Sequence, residues 1–382
     1  MINLNDKKKL KQSRDSIEKI TVEILDLLSK RLELGRDIAI LKNNLNMPLV
    51  DPSQERKLYK TIQDESDSLN LNKDFSKKIL KLIIEETISR EQDHLKKFST
   101  PKKQKIGIIG ASGNMGKWFT KFFSEHGYSV GLYSRKFKTK KSQKSKIFKS
   151  IRNCVLHSDI ILISVPIEKT NKIIADVIKH SDDTKTIIEI SSMKKQIVSN
   201  MKKLHTTSSL MSIHPLFGPG ANVFKPQKFI LVPVKSTTSE KKSFSKIFPN
   251  SKLIVCNATQ HDKSMAYVIS LVYFLNLSFI MSLENIPNLK DISGTSFTIQ
   301  YLLASGIFHD TPEVISSLQI SNEQFIEILN NLTLNVNSIT QLISNHDDKE
   351  FIKIIKKAKK QIISNKKSYD DLYQLVNSID SF

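Results

Sequence analysis

Three glycines, each separated from the next by two residues, lie in the segment KIGIIGASGNMGKWF. The apolar run before Gly110 predicts a strand, and the amphipathic segment after Gly116 predicts a helix. At such a turn, glycines permit close backbone approach, and free amides at the helix start attract phosphates. The spacing is G-x-x-G-x-x-G, with Ser112 where the dinucleotide-binding pattern has its middle glycine. It predicts a dinucleotide-binding turn, and a purely structural glycine turn is the alternative.

The predicted second strand ends in the residues Tyr133, Ser134, Arg135 and Lys136. An enzyme that prefers NAD usually has a carboxylate here, which binds the ribose hydroxyls. This segment has no carboxylate and offers one hydroxyl and two cations, which suit a ribose 2′-phosphate. We therefore expect NADP as the cofactor. NAD is the alternative if these residues only begin a solvated lysine-rich loop.

Short apolar runs alternate with helical segments through the middle of the chain, which predicts a parallel α/β sheet. The runs are Lys105–Ile109, Ser129–Tyr133, Ile160–Val165, Thr186–Ile190 and Phe229–Pro233.

Helical patterns occupy both ends of the chain. One runs from Lys7 to Asn44, ends at Met47–Pro48 and implies a partner subunit, since so long a helix cannot bury itself. A second helix follows a cap at Asp51, and a third runs from Phe75 to Leu95. The C-terminal helical patterns are Ser264–Leu283, Asn322–Ser344 and Asp348–Ser364.

These patterns predict a multidomain chain of three parts. An all-α domain at 1–98 precedes an α/β Rossmann domain at 103–262, and an all-α domain for dimerisation and the substrate cleft follows at 263–382. A length of 382 residues agrees with two or three domains.

The composition argues against a membrane or a secreted protein. No run approaches the roughly 18 apolar residues of a membrane span, and the N-terminus lacks the apolar core of a signal peptide. We therefore expect a cytoplasmic protein. Two cysteines, Cys154 and Cys256, support neither a disulfide framework nor a metal site.

The net charge of +21 raises the question of nucleic acid. Only seven of the 59 basic residues are arginine, the residue preferred for bidentate contacts to phosphates and bases. The densest basic run, Lys136 to Lys149, fits a solvated loop. We expect no nucleic-acid partner. The rival of this class, a basic nucleic-acid-binding protein on a Rossmann scaffold, would show steeply salt-dependent DNA binding without affinity for NADP.

Five segments within 104–310 are specific when taken together: GIIGASGNMG, Ser164–Ile167, EISSMKK at 189–195, HPLFGP at 214–219 and QHDKSMAYV at 260–268. They resemble the prephenate and arogenate dehydrogenase family. The resemblance implies removal of a hydride from the ring carbinol carbon of prephenate, coupled to loss of a ring carboxylate. It also implies a homodimer.

The resemblance assigns site residues as well. His214 matches the catalytic histidine, and a neutral histidine suits a group that accepts the hydroxyl proton; a structural histidine in a proline-rich turn is the alternative. Ser192 matches a serine that contacts the substrate hydroxyl and the histidine, while Lys194 and His261 are expected on the substrate side. The expected cofactor contacts are Gly110, Ser112, Gly113, Asn114, Met115, Gly116, Ser134, Arg135, Lys136, Val165 and Pro166.

One position departs from this family. Its members commonly bind a substrate carboxylate with an arginine in the C-terminal helices, where this chain has Ile299 beside Gln300. The sequence has no arginine after Arg152, so a lysine, backbone amides or a partner residue must take that role. The choice between prephenate and arogenate therefore stays open at this stage.

Residues 7–95 resemble the all-helical chorismate mutase family, whose sites grip a dicarboxylate with cations. Catalysis of this rearrangement comes from holding the reactive conformer and stabilising charge on the ether oxygen. Lys42 is expected to bind that oxygen, with Glu91, or Gln92 beside it, as the second donor. The other matching positions are Arg14, Arg31, Asp51, Glu55 and Thr87. The alternative is a helical dimerisation arm with a charged surface.

Together the two resemblances imply a bifunctional enzyme of tyrosine biosynthesis, with chorismate and prephenate as substrates. The rival is an arogenate dehydrogenase whose vestigial mutase domain senses aromatic end products.

Overall fold

The computed structural model describes residues 4–45, 51–98, 102–137, 145–283, 289, 292–362 and 366–377, with the side chains of 4–6, 43–44, 52, 89, 91–98, 366–367, 374 and 377 outside the description. By its contacts the chain divides into two compact units. The first comprises Met1–Lys105, Trp118–Val130 and Asn222–Lys225, and the second comprises Ile106–Lys117, Gly131–Ala221 and Pro226–Phe382. The second unit thus holds most of the sheet and the C-terminal helices. The three predicted domain boundaries stay a prediction.

Three helices form the N-terminal part of the first unit: α1 (Leu4–Asn44), α2 (Pro52–Ser68) and α3 (Lys73–Phe98). Asp51 caps α2 by accepting hydrogen bonds from the amides of Ser53 and Gln54, and Pro52 fits the first turn because it lacks an amide hydrogen. These helices confirm the predicted all-α segment. The predicted end at Met47–Pro48 lies outside the described residues.

The α1 helix buries little of its apolar surface. Leu32 and Ala39 are buried where α1 packs against α3, but Ile17, Leu27 and Leu34 are each more than 60% exposed. A helix of 41 residues is about 60 Å long at 1.5 Å per residue. It is therefore much longer than the surface that α3 offers it.

Within the described part of the chain, eight strands form one sheet in the order β3-β2-β1-β4-β5-β6-β7-β8. The strands are β1 (Lys105–Ile109), β2 (Ser129–Tyr133), β3 (Lys146–Ile147), β4 (Ile160–Ile163), β5 (Thr186–Glu189), β6 (Ser209–Pro215), β7 (Lys228–Leu231) and β8 (Lys252–Val255). The order runs outward from β1 in both directions, which is typical of a Rossmann fold.

The prediction of an all-parallel sheet is wrong at one pair. The β6 strand pairs with β7 in antiparallel fashion, with His214 opposite Ile230. No helix intervenes between these two strands, and a parallel pair would need a long crossover. The sequence interpretation also missed β6 itself, the strand that carries His214.

Helices cover the sheet and continue beyond it. Those within the sheet region are α4 (Asn114–Glu125), α5 (Ile151–His157), α6 (Ile167–Ile178), α7 (Lys195–Lys203) and α8 (Thr237–Ile247). After the last strand come α9 (Ala258–Met265), a π-helical segment (Ala266–Leu271), α10 (Val272–Met281), α11 (Thr295–Ile307), α12 (Pro312–Ile320), α13 (Phe325–Ser344), α14 (Asp348–Lys359) and α15 (Lys366–Asn377).

The continuous helical stretch Ala258–Met281 qualifies the sequence expectation about membranes. By length and composition it could cross a membrane, with a mean hydropathy of 1.8. Core helices of soluble proteins meet the same criteria, so this is weak support for a span. Its first turns carry His261 and Asp262, both buried in the second unit.

Two of the three glycines are required by the packing of the turn itself. Gly110 has a φ of +90°, and a Cβ there would lie 1.9 Å from the carbonyl oxygen of Ser164. A Cβ on Gly116 would lie 2.4 Å from the carbonyl oxygen of Gly110, so only glycine lets α4 pack this closely. At Gly113 a Cβ would meet its nearest atom at an ordinary 3.4 Å.

We predict different effects on stability for two alanine substitutions in this turn. Gly110→Ala should lower the free energy of unfolding by about 2 kcal/mol or more, because both the steric overlap and the positive φ oppose a side chain. Gly113→Ala is the matched control and should leave the melting temperature nearly unchanged. Thermal unfolding followed by circular dichroism measures both. Equal losses in the two variants would contradict this account of the turn.

Candidate active site

His214 lies near the end of β6, a strand whose residues after Ser209 are all buried. The ring of His214 is 4% exposed and its Nδ1 lies 2.9 Å from Nε2 of His261, which is on α9. The other ring nitrogen of His214, Nε2, has no hydrogen-bond partner among the described residues. The structure therefore brings together two of the predicted site residues and leaves one nitrogen of His214 available.

Asp262 anchors this pair of histidines. Its Oδ1 lies 2.7 Å from Nδ1 of His261 and accepts a hydrogen bond from the amide of Lys194, while its Oδ2 accepts one from the amide of Lys195. The carboxylate thus joins the start of α7 to α9. Asn322 in turn donates to the Asp262 backbone carbonyl at 2.9 Å.

Burial and neighbouring charges set the protonation of these groups. Burial, the nearby His261 and the cation of Lys194 together hold the pKa of His214 well below 6.5. Burial also lowers the pKa of His261, and the hydrogen bond to Asp262, which acts in the opposite direction, does not outweigh it. Burial alone would raise the pKa of Asp262, but its hydrogen bonds leave that pKa below the ordinary value. At neutral pH the site therefore holds two neutral imidazoles and one carboxylate.

A fully buried ion pair lies beside the histidines. The ammonium of Lys194 is 2.5 Å from Oε1 of Glu189 and donates to the backbone carbonyl of Ile213 at 2.7 Å. Ser212 donates to the same carboxylate oxygen, and the amide of Ser191 donates to Oε2. All the charge in this cluster is thus paired within the protein.

This pairing argues against the predicted contact between Lys194 and the substrate. Its side chain has no exposed surface, and Glu189 already neutralises its charge. An ammonium held in this way joins β5 to β6 instead. Neither Asp262 nor Glu189 was singled out from the sequence, although each stands within a family segment, QHDKSMAYV and EISSMKK.

Ser192 lies half-buried in the loop between β5 and α7. No hydrogen bond joins it to His214 among the described residues; its neighbour Ser191 bonds to Thr170 across 3.1 Å. The predicted role of Ser192 stays a prediction.

The predicted cofactor residues surround the glycine turn and the end of β2. Ser112 and Ser134 are joined by a hydrogen bond of 2.6 Å, and Arg135 and Lys136 are exposed beside them. Asn114, also exposed, begins α4, and Met115 follows it in the first turn. The open amides of this helix start fit a phosphate.

Val165 and Pro166 follow β4, and Pro166 occupies the cap position of α6. Val165 lies close to the turn, since a Cβ on Gly110 would be 3.0 Å from its side chain. These features fit a dinucleotide, because backbone atoms fill the space beside Gly110 and Gly116 while the space beside Gly113 stays accessible to a ligand.

In the N-terminal helices the structure joins Arg31 to Thr87, with a hydrogen bond of 2.6 Å from the guanidinium to the hydroxyl. The Ser53 hydroxyl and two amides lower the pKa of Asp51, and Lys42 is near enough to add a small effect. Glu55 lies one turn into α2 and is half-buried.

Arg14 is exposed on α1 and lies several helical turns before Arg31, the residue that bonds to Thr87. The side chain of Glu91 lies outside the described part of the chain.

At the position of the missing arginine, α11 carries Ile299 and Gln300. The Gln300 amide donates to Oδ1 of Asn276 on α10 at 2.9 Å. An uncharged pair of amides therefore lies where the resemblance places a cation.

Three family models match the chain in succession. The first, chorismate mutase type II, matches residues 13–92. The second, the nucleotide-binding domain of prephenate dehydrogenase, matches residues 121–248, and the third, its dimerization domain, matches residues 257–357.

Similar proteins agree with this order. A T-protein of Enterobacter agglomerans is 22% identical over 344 residues, which are 89% of each chain. Among solved structures, prephenate dehydrogenase from A. aeolicus with hydroxyphenyl propionate and NAD+ has a TM-score of 0.54 at 17% identity, over 69% of this chain and 98% of its own. Synechocystis arogenate dehydrogenase has a TM-score of 0.51 at 18% identity, over 67% and 98%. At these identities the structures show the fold alone. The chain belongs to the family in which a chorismate mutase domain precedes a two-part prephenate dehydrogenase.

Proposed function

We propose that this protein converts chorismate to 4-hydroxyphenylpyruvate in two steps of tyrosine biosynthesis. The N-terminal helices rearrange chorismate to prephenate, and the dehydrogenase part then oxidises and decarboxylates prephenate. The observation that carries the second step is the buried pair of His214 and His261 with Nε2 of His214 left available. The three matched family models support both steps.

His214 serves as the general base in this proposal. Its neutral Nε2 accepts the proton of the ring hydroxyl while the carbinol hydrogen leaves as hydride and the ring carboxylate leaves as carbon dioxide. The nicotinamide, when bound, accepts that hydride. The proton held on His214 returns to the phenol oxygen of the product. Because His214 is almost fully buried, water competes poorly for this nitrogen.

The cofactor of the proposal is NADP. The match to a nucleotide-binding domain supports a nicotinamide dinucleotide. The end of β2 supports the phosphorylated form, because Ser134, Arg135 and Lys136 offer a hydroxyl and two exposed cations. The hydrogen bond between Ser112 and Ser134 holds this group beside the glycine turn.

The mutase step needs cations that hold a dicarboxylate in its reactive conformer. Arg31, held by Thr87, and Lys42, close to Asp51, supply two of them in the proposal. Arg14 supplies a third, to the site of the partner subunit. If Glu91 is the second donor to the ether oxygen, it acts in its protonated form, and the mutase rate falls as pH rises.

The arogenate alternative differs from this proposal in its product. An arogenate dehydrogenase with a sensing N-terminal domain would leave chorismate unchanged and would form tyrosine from arogenate. Consumption of chorismate by the purified protein therefore separates the two.

The proposal also includes a homodimer in the cytoplasm. The match to a dimerization domain supports the dimer, as do the exposed apolar side chains of α1. The relatives, which are soluble biosynthetic enzymes, support the location.

Two single substitutions should each block one step. His214→Asn should lower prephenate oxidation by about 10³-fold, since the base is lost, while chorismate is still consumed. Arg31→Ala should block consumption of chorismate, while supplied prephenate is still oxidised. Chorismate absorbance and NADPH formation report the two steps, and melting temperatures serve as the folding control. Unchanged NADPH formation in His214→Asn would remove His214 from its role, and unchanged chorismate loss in Arg31→Ala would do the same for Arg31.

The pH dependence of kcat/KM for prephenate should follow the neutral form of His214. Protonation destroys the base, and the pKa of His214 is held well below 6.5 by burial and by its neighbours His261 and Lys194. The rate should therefore stay level from pH 7.5 to 6.5 and fall only at lower pH. Steady-state rates across this range test it. An acidic limb centred above pH 7 would be inconsistent with the proposal.

Arg135→Ala should discriminate between the two dinucleotides. Loss of a charge-assisted bond to the 2′-phosphate should weaken NADP binding about 10-fold or more, with NAD affected less than twofold. Arg152→Ala, which changes another exposed arginine on α5, is the matched control and should affect neither. Titration calorimetry measures the six dissociation constants, for the original protein and both variants with each dinucleotide. Equal weakening of NAD and NADP by Arg135→Ala would exclude the phosphate contact.

The assembly should have twice the monomer mass of 43.6 kDa. Light scattering coupled to size-exclusion chromatography measures it directly. A monomer mass at micromolar concentration would contradict the dimer.

A further inference from the structure

Three buried side chains form an unbroken hydrogen-bonded line in the second unit. Asp262 is 2.7 Å from Nδ1 of His261, and Nε2 of His261 is 2.9 Å from Nδ1 of His214. Only the last member, His214, has a ring nitrogen without a partner among the described residues. The general-base step at Nε2 of His214 does not itself involve Asp262.

The protons along the line can be assigned from its acidic end. An ionised carboxylate only accepts hydrogen bonds, so Nδ1 of His261 must donate to Asp262. A neutral imidazole has one donor and one acceptor, so Nε2 of His261 accepts. Nδ1 of His214 must then donate, which leaves Nε2 of His214 with its lone pair. This is the tautomer that a general base at Nε2 requires.

The opposite arrangement needs a protonated His261. Both nitrogens of that ring would then donate, and Nε2 of His214 would carry the proton. Burial opposes it, since the His261 side chain has no exposed surface, and the pKa of His261 is lowered. The charged groups around the pair are Asp262 itself and the ion pair of Lys194 with Glu189, whose charges balance each other.

We propose that Asp262 is a positioning residue that acts through His261 to hold His214 in the Nδ1–H tautomer, and so presents Nε2 as the base. Asp262 does not touch the substrate in this role. The tautomer is a property of the free protein and does not depend on the substrate. Only the use of Nε2 as a base in prephenate oxidation rests on the proposed function.

The setting of Asp262 suits this role. The amides of Lys194 and Lys195 bind its two oxygens at 2.9 Å each, so the carboxylate cannot turn away from His261. When Nε2 of His214 takes up a proton, the line of donors spreads the positive charge towards that carboxylate. A fixed negative charge at this distance from a forming imidazolium stabilises it, as in other sites that orient a histidine with an aspartate.

Nitrogen-15 NMR of the full-length protein, labelled on its histidines, tests the assignment at pH 7.5. The expected spectrum has His214 and His261 both neutral, with the proton on Nδ1 in each ring. His214→Asn and His261→Asn assign the signals. A proton on Nε2 of His214 would overturn the proposal. This result does not depend on whether prephenate is the substrate, so it distinguishes failure of the inference from failure of the proposed function.

A pair of isosteric variants adds a kinetic test. Asp262→Asn should lower kcat for prephenate by about 100-fold or more and change the His214 tautomer signal, with the dissociation constant for NADP within twofold of the original. Asp176→Asn removes the same charge from a half-buried position near the end of α6 and should change neither kcat nor the signal. A kcat and tautomer both unchanged in Asp262→Asn would overturn the proposal. If Asp262→Asn does not fold, the nitrogen-15 spectrum of the original protein still tests whether His214 carries its proton on Nδ1.

Discussion

The Asp262 carboxylate is the contact on which the arrangement of the site depends. It accepts one hydrogen bond from His261 and two from the backbone at the start of α7. Hydrogen bonds to charged groups contribute about 1.5–3 kcal/mol each, and a buried carboxylate left without them would be costly. Because the acceptor lies on α9 and the two donors lie at the start of α7, this single side chain fixes the distance between α9 and the start of α7. The position of His261 relative to His214 follows from it.

The buried pair of Lys194 and Glu189 has a different role. Taking two charges out of water is expensive, and it is tolerated only where the remaining donors and acceptors are satisfied. Here Ser212, the Ser191 amide and the Ile213 carbonyl complete the shell. The pair joins β5 to β6 and carries no net charge. The Lys194 ammonium still opposes protonation of both histidines, which stay neutral.

Local patterns allowed much of this fold to be predicted. The glycine turn, the long helix α1 and the cap at Asp51 each follow from residues close together in the chain, so their outcomes agree with the sequence. The β6 strand was missed because Ser212 and His214 interrupt its apolar run, although the fold buries both side chains. β6 pairs with β7 in antiparallel fashion because no crossover helix lies between the two strands. No residue pattern within β6 itself indicates this direction.

Side-chain partners that only the folded sheet and helices bring together were the least predictable part of the site. In the sequence Lys194 resembles an available cation, because Glu189, the last residue of β5, is seen to be buried against it only in the folded sheet. Asp262 reads as an ordinary helix acid because its two amide donors are 67 and 68 positions away. The line of proton donors therefore became visible only with the structure. The pairing of Arg31 with Thr87, by contrast, agrees with positions taken from the family.

The most direct test of the whole account is to supply the purified full-length protein with chorismate and NADP and to identify what forms. The account predicts that chorismate disappears, that NADPH and carbon dioxide form in equal amounts, and that 4-hydroxyphenylpyruvate is the product. Unchanged chorismate, or prephenate that accumulates with no reduction of either NADP or NAD, would contradict it.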